Sequence, residues 1–368
     1  MSVFEKMAER DHEQVVACYD EVSGLKAIIC IHNTTLGPAL GGCRMYPYES
    51  EDDALDDVLR LARGMTYKSA AAGLNLGGGK AVIMGDPKKM KSEHLFRAYG
   101  RFIQGLNGRY ITAEDVGTSV QDMEWVRMET DHVTGISRAL GGSGDPSPVT
   151  ALGVYEGIKA SLKWSTGSES LAGKRVAVQG VGHVGYHLVR YLHDGGAKIS
   201  ICDIDQDNLK RTARDLADVE VVVPEAIYDQ DCDIYAPCAM GGTVNSDTIP
   251  RLKCSIIAGS ANNTLLDEDQ DAKNLRKAGI LYAPDYVVNA GGLINVANEL
   301  EGYNSERALQ QASSIYDIMT NIFQIARDED ISPHRAANAL AERRIQKIGN
   351  IKNTFAGNQV NRRNRGNG

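Results

Sequence analysis

Val176-Ala177-Val178-Gln179-Gly180-Val181-Gly182-His183-Val184-Gly185 reads as a strand running into a glycine turn, and Tyr186-His187-Leu188-Val189-Arg190-Tyr191-Leu192 carries it on as an amphipathic helix. Three glycines at this spacing are a weak signal alone. A strand before them and a helix after them make the segment a phosphate-binding turn. Gly180 permits the tight turn, Gly182 lets the backbone approach a pyrophosphate, and Gly185 lets the helix pack on the strand. The helix start offers free N–H groups and partial positive charge to the phosphates. His183 and Val184 belong to the same loop, where His183 would lie beside the pyrophosphate and away from the reacting ring. Asp203 follows 23 residues after Gly180, at the end of the next strand, where a carboxylate accepts hydrogen bonds from the adenosine ribose. The same carboxylate repels a 2′-phosphate, and no arginine stands beside Ile204 and Asp205, so the expected cofactor is NAD and not NADP.

Outward from this turn, strand patterns recur at 199–202, 219–223, 234–236, 256–258 and 281–283, with helical runs between most of them. This alternation predicts a parallel sheet wrapped by helices on both faces. Gly141-Gly142-Ser143-Gly144-Asp145-Pro146-Ser147-Pro148 is the best boundary to an earlier unit, since its glycines permit unusual backbone angles and its prolines cannot continue a helix. Before it, 15–19 and 27–31 read as a strand pair split by Ser23-Gly24, and 35–42 reads as a loop. Ser50 opens a helix that carries Lys68 near its end, Gly73 and Gly77 to Gly79 form a break, and a strand begins at Lys80. Helices near 91–106 and 119–129 bracket a strand at 110–112, a helix follows at 149–162, and helical patterns at 305–327 and 333–347 close the chain.

The chain has 368 residues, which at roughly 150 per domain predicts two domains. A net charge of −8 argues against nucleic acid as a partner. No apolar run approaches the roughly 18 residues of a membrane span, and the amino terminus has no hydrophobic signal region, so a cytoplasmic protein is expected. Seven cysteines stand singly, with no Cys-x-x-Cys pair, which predicts neither a zinc site nor a disulfide framework. Most of these thiols are expected as buried packing residues. The basic end, residues 351–368, is expected to be a flexible tail.

Lys68 and Lys80 flank the Gly77-Gly78-Gly79 break, and Thr112-Ala113-Glu114-Asp115-Val116-Gly117-Thr118 follows. Lys80 begins an apolar strand, where a free ammonium is costly to bury. The phosphate-loop alternative fails on spacing, since position 74 is Leu and Lys80 is followed by Ala81. Two lysines converging on one cleft suit different tasks. One stays charged and binds a carboxylate, while the other, pushed toward neutrality, takes part in proton transfer. Asp115, in a glycine-flanked turn, supplies a second proton-handling group.

Leu36-Gly37-Pro38-Ala39-Leu40-Gly41-Gly42-Cys43-Arg44-Met45, Arg63-Gly64-Met65-Thr66-Tyr67-Lys68, Gly77-Gly78-Gly79-Lys80, 112–117 and Asn289-Ala290-Gly291-Gly292 resemble the glutamate/leucine/phenylalanine/valine dehydrogenase family, nearest its leucine-type members, from about residue 10 to about 350 with the motifs in order. The resemblance implies NAD-dependent, reversible oxidative deamination of an L-amino acid to its 2-keto acid and ammonium. Carried over by position, Lys68 would bind the substrate carboxylate, Lys80 would activate the attacking water, and Asp115 would shuttle protons to and from the nitrogen. Gly41 and Gly42 would line the substrate. Thr150 and Asn289 would hold the nicotinamide carboxamide region, and Asn262 or Asn263 would contact the nicotinamide ribose or the substrate. Cys238 and Ala239 would lie along the adenosine side.

The fold class so implied is α/β in two domains. Residues 1–140 form an N-terminal α/β substrate and oligomerisation domain, and residues 141–329 form a Rossmann-type doubly wound dinucleotide-binding domain. Helices at 330–350 pack back on the first. The family assembles as homo-oligomers, and an octamer is usual for its leucine-type members.

Leu40 stands where glutamate-specific members carry a lysine for the side-chain carboxylate, which disfavours glutamate. Ala113, Leu293 and Val296 would complete an apolar pocket. Leu293 resembles the phenylalanine-specific members, whereas Ala113 leaves less room than the glycine those enzymes tend to have. Weighting Ala113 more gives leucine and other branched-chain amino acids as the expected substrates, with a phenylalanine or valine enzyme as the alternative. A non-catalytic NAD-binding scaffold would be free to lose Lys80 or Asp115, and this chain keeps both.

Overall fold

The computed structural model describes residues 2–351; most of the expected tail, from 352, lies outside them. A short helix α1 (Val3–Glu9) precedes β1 (Gln14–Asp20), β2 (Leu25–Asn33) and β3 (Ala39–Tyr46), and α2 (Glu51–Ala71) and β4 (Gly77–Met84) follow. Then come α3 (Glu93–Gly105), β5 (Tyr110–Glu114) and α4 (Val120–Arg127). The five strands form one mixed sheet in the order β1-β2-β4-β3-β5. The expected strand pair is the antiparallel β1–β2 hairpin, turning at Gly24 with φ +72°. Ser50 caps α2, its hydroxyl accepting from the Asp53 N–H, with Glu51 to Asp53 at the positive helix start. One face of the sheet buries Ile29, Ile31 and Ile83 against Phe96 and Tyr99 of α3; the other buries Cys30 and Val82 against Leu55, Val58 and Leu59 of α2.

Two expected loops are strands instead. Residues 39–42 belong to β3, and Gly77 to Gly79 open β4. The reason is close approach and not turning. A Cβ on Gly41 would lie 1.8 Å from the Gly79 carbonyl oxygen, and one on Gly78 would lie 2.0 Å from the Thr66 nitrogen. These glycines let β3, β4 and α2 touch backbone to backbone.

The second half begins with α5 (Ser147–Thr166). It continues through β6 (Arg175–Gln179), α6 (His183–Asp194), β7 (Lys198–Cys202), α7 (Gln206–Asp215), β8 (Val219–Val221), β9 (Ile234–Pro237), β10 (Ile256–Ile257), α8 (Glu268–Lys277) and β11 (Leu281–Tyr282). All six strands are parallel, in the order β11-β10-β9-β6-β7-β8, the doubly wound order with β6 at its centre. Two short helices without a clear sequence signal follow, α9 (Asp285–Val288) and α10 (Gly291–Ala297). The closing helices are α11 (Ser305–Ser313), α12 (Ile315–Asp328) and α13 (Pro333–Gly349).

Helix α13 returns to α2. Ala336, Ala337 and Ala341 share a core with Ala70 to Ala72 and with the helices of the parallel sheet. Arg344 donates to the carbonyls of Ala70 (3.2 Å), Gly73 (3.0 Å) and Leu74 (2.6 Å) and to Asn75 Oδ1 (2.9 Å). It satisfies the carbonyls that the end of α2 leaves open. Among the described residues no helix is long and apolar enough to cross a membrane. Six of the seven cysteines are buried and Cys238 is partly so; all are free thiols.

Candidate active site

Between the two sheets runs a cleft of about 320 Å³. Lys68, Lys80 and Asp115 all line it, although they come from α2, β4 and the turn after β5. Lys80 reaches it because β4 is a central strand, pairing Lys80 with Cys30 of β2. Asp115 is held in its turn by Thr118, whose hydroxyl accepts from the Asp115 N–H at 2.8 Å and donates to the Cys43 carbonyl at 2.9 Å. Asp115 Oδ2 lies 3.2 Å from Lys80 Nζ and 3.0 Å from Arg44 Nε. Burial pushes the Asp115 carboxyl up, but Lys80 and Arg44 together overcome it and hold the group below the usual carboxylate range.

Lys68 is placed differently. It has no carboxylate within ion-pair distance among the described residues, and its Nζ stands 3.5 Å from Asn262 Oδ1. Burial at the cleft floor lowers it to about 8; Asp285 opposes this and Lys80 adds to it. The sequence reading gave one charged and one readily neutralised amine, and of the two it is Lys68 that burial lowers. Asp115 makes its ion pair with Lys80 and makes none with Lys68. An under-compensated amine at a cleft floor is a receptor for a carboxylate, since the ligand supplies the charge the protein withholds.

Asp285 escaped the sequence reading. It starts α9 and is buried, and it accepts from the Thr264 N–H at 2.8 Å and the Tyr286 N–H at 2.6 Å; burial raises its carboxyl. The only sequence signal was an acid at the start of a helix too short to show a period. Glu114 also lines the cleft, its carboxyl raised by burial and by Asp145, Glu299 and Asp115.

The predicted apolar residues divide. Leu40 packs with Leu293 and Val296 of α10 and with Leu76 and Ile111, which the sequence did not single out. Ala113 lines the cleft beside them. Gly42 lines it too, but Gly41 does not; its carbonyl accepts from Tyr110 OH at 2.6 Å and its Cα is covered by β4.

On the dinucleotide side, Gly180 has φ +94°, and a Cβ there would meet Ala239 Cβ at 2.8 Å, so Cys238 and Ala239 flank the turn. A Cβ on Gly185 would lie 2.0 Å from the Gly180 carbonyl oxygen, whereas one on Gly182 would meet no protein atom within 4 Å. That open space is the cradle a pyrophosphate requires. His183 opens α6 on the surface, and Val184 is half-buried against the core. Asp203 follows β7, its Oδ2 accepting from the Val181 N–H at 2.8 Å. An arginine does come near this turn. Arg211 of α7 donates to the Val181 carbonyl at 3.1 Å and lies over the Tyr186 ring, so its guanidinium is engaged by the loop. Thr150 returns its hydroxyl to the Pro146 carbonyl at 3.0 Å and packs on Gly292. Asn289 donates to Asn262 Oδ1 at 2.7 Å and to the Ser260 carbonyl at 3.1 Å, while its own Oδ1 is buried with no partner. A buried orphan acceptor at a cleft rim suits the amide N–H₂ of a carboxamide. Asn263 lines the same rim with φ +51°.

Two family models cover the chain. The Glu/Leu/Phe/Val dehydrogenase dimerisation domain matches residues 12–132, and Glutamate/Leucine/Phenylalanine/Valine dehydrogenase matches residues 141–207 and 201–350. The leucine dehydrogenase of Thermoactinomyces intermedius is 58% identical over 98% of both chains. A phenylalanine dehydrogenase of Bacillus thermotolerans is 49% identical over 97% of this chain and 94% of its own. The crystal structure of L-tryptophan dehydrogenase from Nostoc punctiforme superposes with a TM-score of 0.84 at 48% identity, covering 94% of this chain and 99% of that one. With these matches and a cleft that joins two lysines and an aspartate, the chain belongs to the glutamate/leucine/phenylalanine/valine dehydrogenase family.

Proposed function

We propose that the protein catalyses NAD-dependent, reversible oxidative deamination of L-leucine and other branched-chain L-amino acids to 2-keto acids and ammonium. The observation that carries this reading is the meeting of Lys68, Lys80 and Asp115 in one cleft beside the Leu40, Leu293 and Val296 pocket. Relatives named leucine dehydrogenase at 57–58% identity stand nearer than the phenylalanine dehydrogenases at 49%. The family binds NAD or NADP; Asp203 at the adenosine-ribose position supports NAD. Residues 1–140 act as the substrate unit, 141–329 as the cofactor unit, and 330–350 as the return helix. A cytoplasmic homo-oligomer, octameric as the family resemblance implies, is part of the same reading.

In this mechanism Lys68 takes the substrate carboxylate, and Asp115 takes a proton from the substrate ammonium. That transfer cancels the charge paired with Lys80, which can then give its proton to solvent. Bound NAD supplies the acceptor for the α-hydrogen as hydride. At the resulting iminium carbon a water oxygen bonds while its proton passes to Lys80 Nζ. Asp115 returns its proton to the nitrogen, the C–N bond breaks with its electron pair on nitrogen, and the departing ammonia takes the hydroxyl proton as the keto C=O forms. Closure of the cleft excludes bulk water from these transfers.

The test is a reductive-amination panel with ammonium, NADH or NADPH, and 2-keto acids from ketoisocaproate and ketoisovalerate to phenylpyruvate and 2-oxoglutarate. Ketoisocaproate and its branched relatives with NADH should turn over fastest, within roughly a hundredfold of one another, because one methylene discriminates by about 1–3 kcal/mol. Fastest turnover of phenylpyruvate would hand the pocket to the Leu293 signal and reject the branched-chain preference.

A further inference from the structure

Arg44 lines the cleft and touches the proton-handling aspartate itself. It leaves β3 beside β4 and β5, with Val82 opposite it in the sheet. Its Nε donates to Asp115 Oδ2 at 3.0 Å and its Nη1 to Asp57 Oδ2 at 2.9 Å. Asp57 in turn accepts from Tyr48 OH at 2.7 Å and Arg60 at 2.8 Å, so the seat of Arg44 is itself braced. Lys80 reaches the same oxygen of Asp115, and among the described residues no hydrogen bond falls on Oδ1.

We propose that Arg44 is a positioning residue for Asp115: braced on Asp57, it holds Oδ2 together with Lys80 and leaves Oδ1 turned to the cleft as the oxygen that exchanges a proton with the substrate nitrogen. This rests on the amino-acid dehydrogenase reading. Lys80 gives up its charge during the reaction and then cannot hold the carboxylate. Arg44 stays charged throughout, because a guanidinium does not deprotonate in this range. It therefore keeps Asp115 in one rotamer and favours its return to the carboxylate form after each proton exchange. The other groups facing Asp115 are Lys80 of β4, Lys68 of α2, Glu114 and Tyr110 of β5, Cys43 of β3, and Tyr48; Asp57 of α2 lies beyond Arg44 and Asp122 of α4 beyond Cys43. Among the described residues only Lys80 and Arg44 are cations bonded to it.

The experiment compares Arg44→Gln and Arg44→Lys with wild type in steady-state deamination of leucine by NAD, from acid to alkaline pH. For Arg44→Gln, kcat should fall about 10-fold or more with KM for NAD within about twofold, and the acid limb of kcat/KM should move up by about one pH unit, since the carboxylate loses a charge-assisted bond. Arg44→Lys keeps the charge without the fork, so its limb should stay near the wild-type position while kcat falls only severalfold. An Arg44→Gln enzyme with unchanged kcat, or with reduced kcat and an unmoved acid limb, would overturn the proposal. If Arg44→Gln does not fold, the Lys variant decides: wild-type kcat in it rejects the need for the fork. A wild-type protein inactive on every amino acid would instead reject the functional reading, whatever Arg44 does.

Discussion

In the proposed reaction Lys68 is the receptor for the substrate carboxylate. With its amine lowered to about 8 by the cleft floor, it is an ammonium below about pH 7 and largely a free amine above about pH 9 when no ligand is present. A bound carboxylate favours the ammonium, so 2-keto acid binding in the presence of NADH should take up close to one proton at about pH 9 and almost none at about pH 7. Calorimetry in buffers of different ionisation enthalpy measures that uptake, and Lys68→Met should abolish it. No uptake at alkaline pH in the wild type would mean that Lys68 is not the carboxylate partner. Which residues meet in the cleft was legible in the sequence, because Lys68, Lys80 and Asp115 each stand on a short glycine-marked motif. Which amine bears the carboxylate partner was not. That depends on the β4–β3–β5 alignment, which carries Asp115 to Lys80 across 35 positions of chain. Asp285 was invisible for a related reason, since its importance comes from facing an α2 side chain distant in sequence.

At the scale of elements, glycine carried three meanings that composition alone cannot separate. In β3 and β4 it allows contact between backbones, and the sequence reading took those stretches for loops. Around the 180–185 turn the strand and helix lie where the sequence places them, and every strand of the parallel sheet was anticipated to within about two residues. Gly182 and Gly185, three residues apart, should behave as opposites. Gly182→Ala places its methyl in open space, so stability should stay within about 1 kcal/mol while KM for NAD rises about 10-fold or more. Gly185→Ala drives its methyl toward the Gly180 carbonyl and should cost about 1–3 kcal/mol of stability. Denaturant titration beside NAD binding separates the two, and equal effects on both variants would refute the assignment of the cradle to Gly182. The short helices α9 and α10 were missed because four and seven residues hold too little periodicity to stand out.

At the scale of the whole molecule, the chain builds the five-stranded sheet first, then the parallel sheet, and returns through α13 to close the end of α2. Arg344→Met should remove that closure, lowering stability by about 2 kcal/mol and raising KM for leucine severalfold, with KM for NAD little changed. Kinetics on the variant and on Arg344→Lys check it; parallel loss of both KM values would show general damage and not a shifted Lys68. The return has a consequence for biosynthesis. A ribosome releases the amino-terminal sheet early, but residue 344 emerges only after both sheets are complete. A nascent or prematurely terminated polypeptide ending before it carries the whole parallel sheet, yet has an open end on the helix that bears Lys68. Such fragments should sequester NAD without turning over fuel.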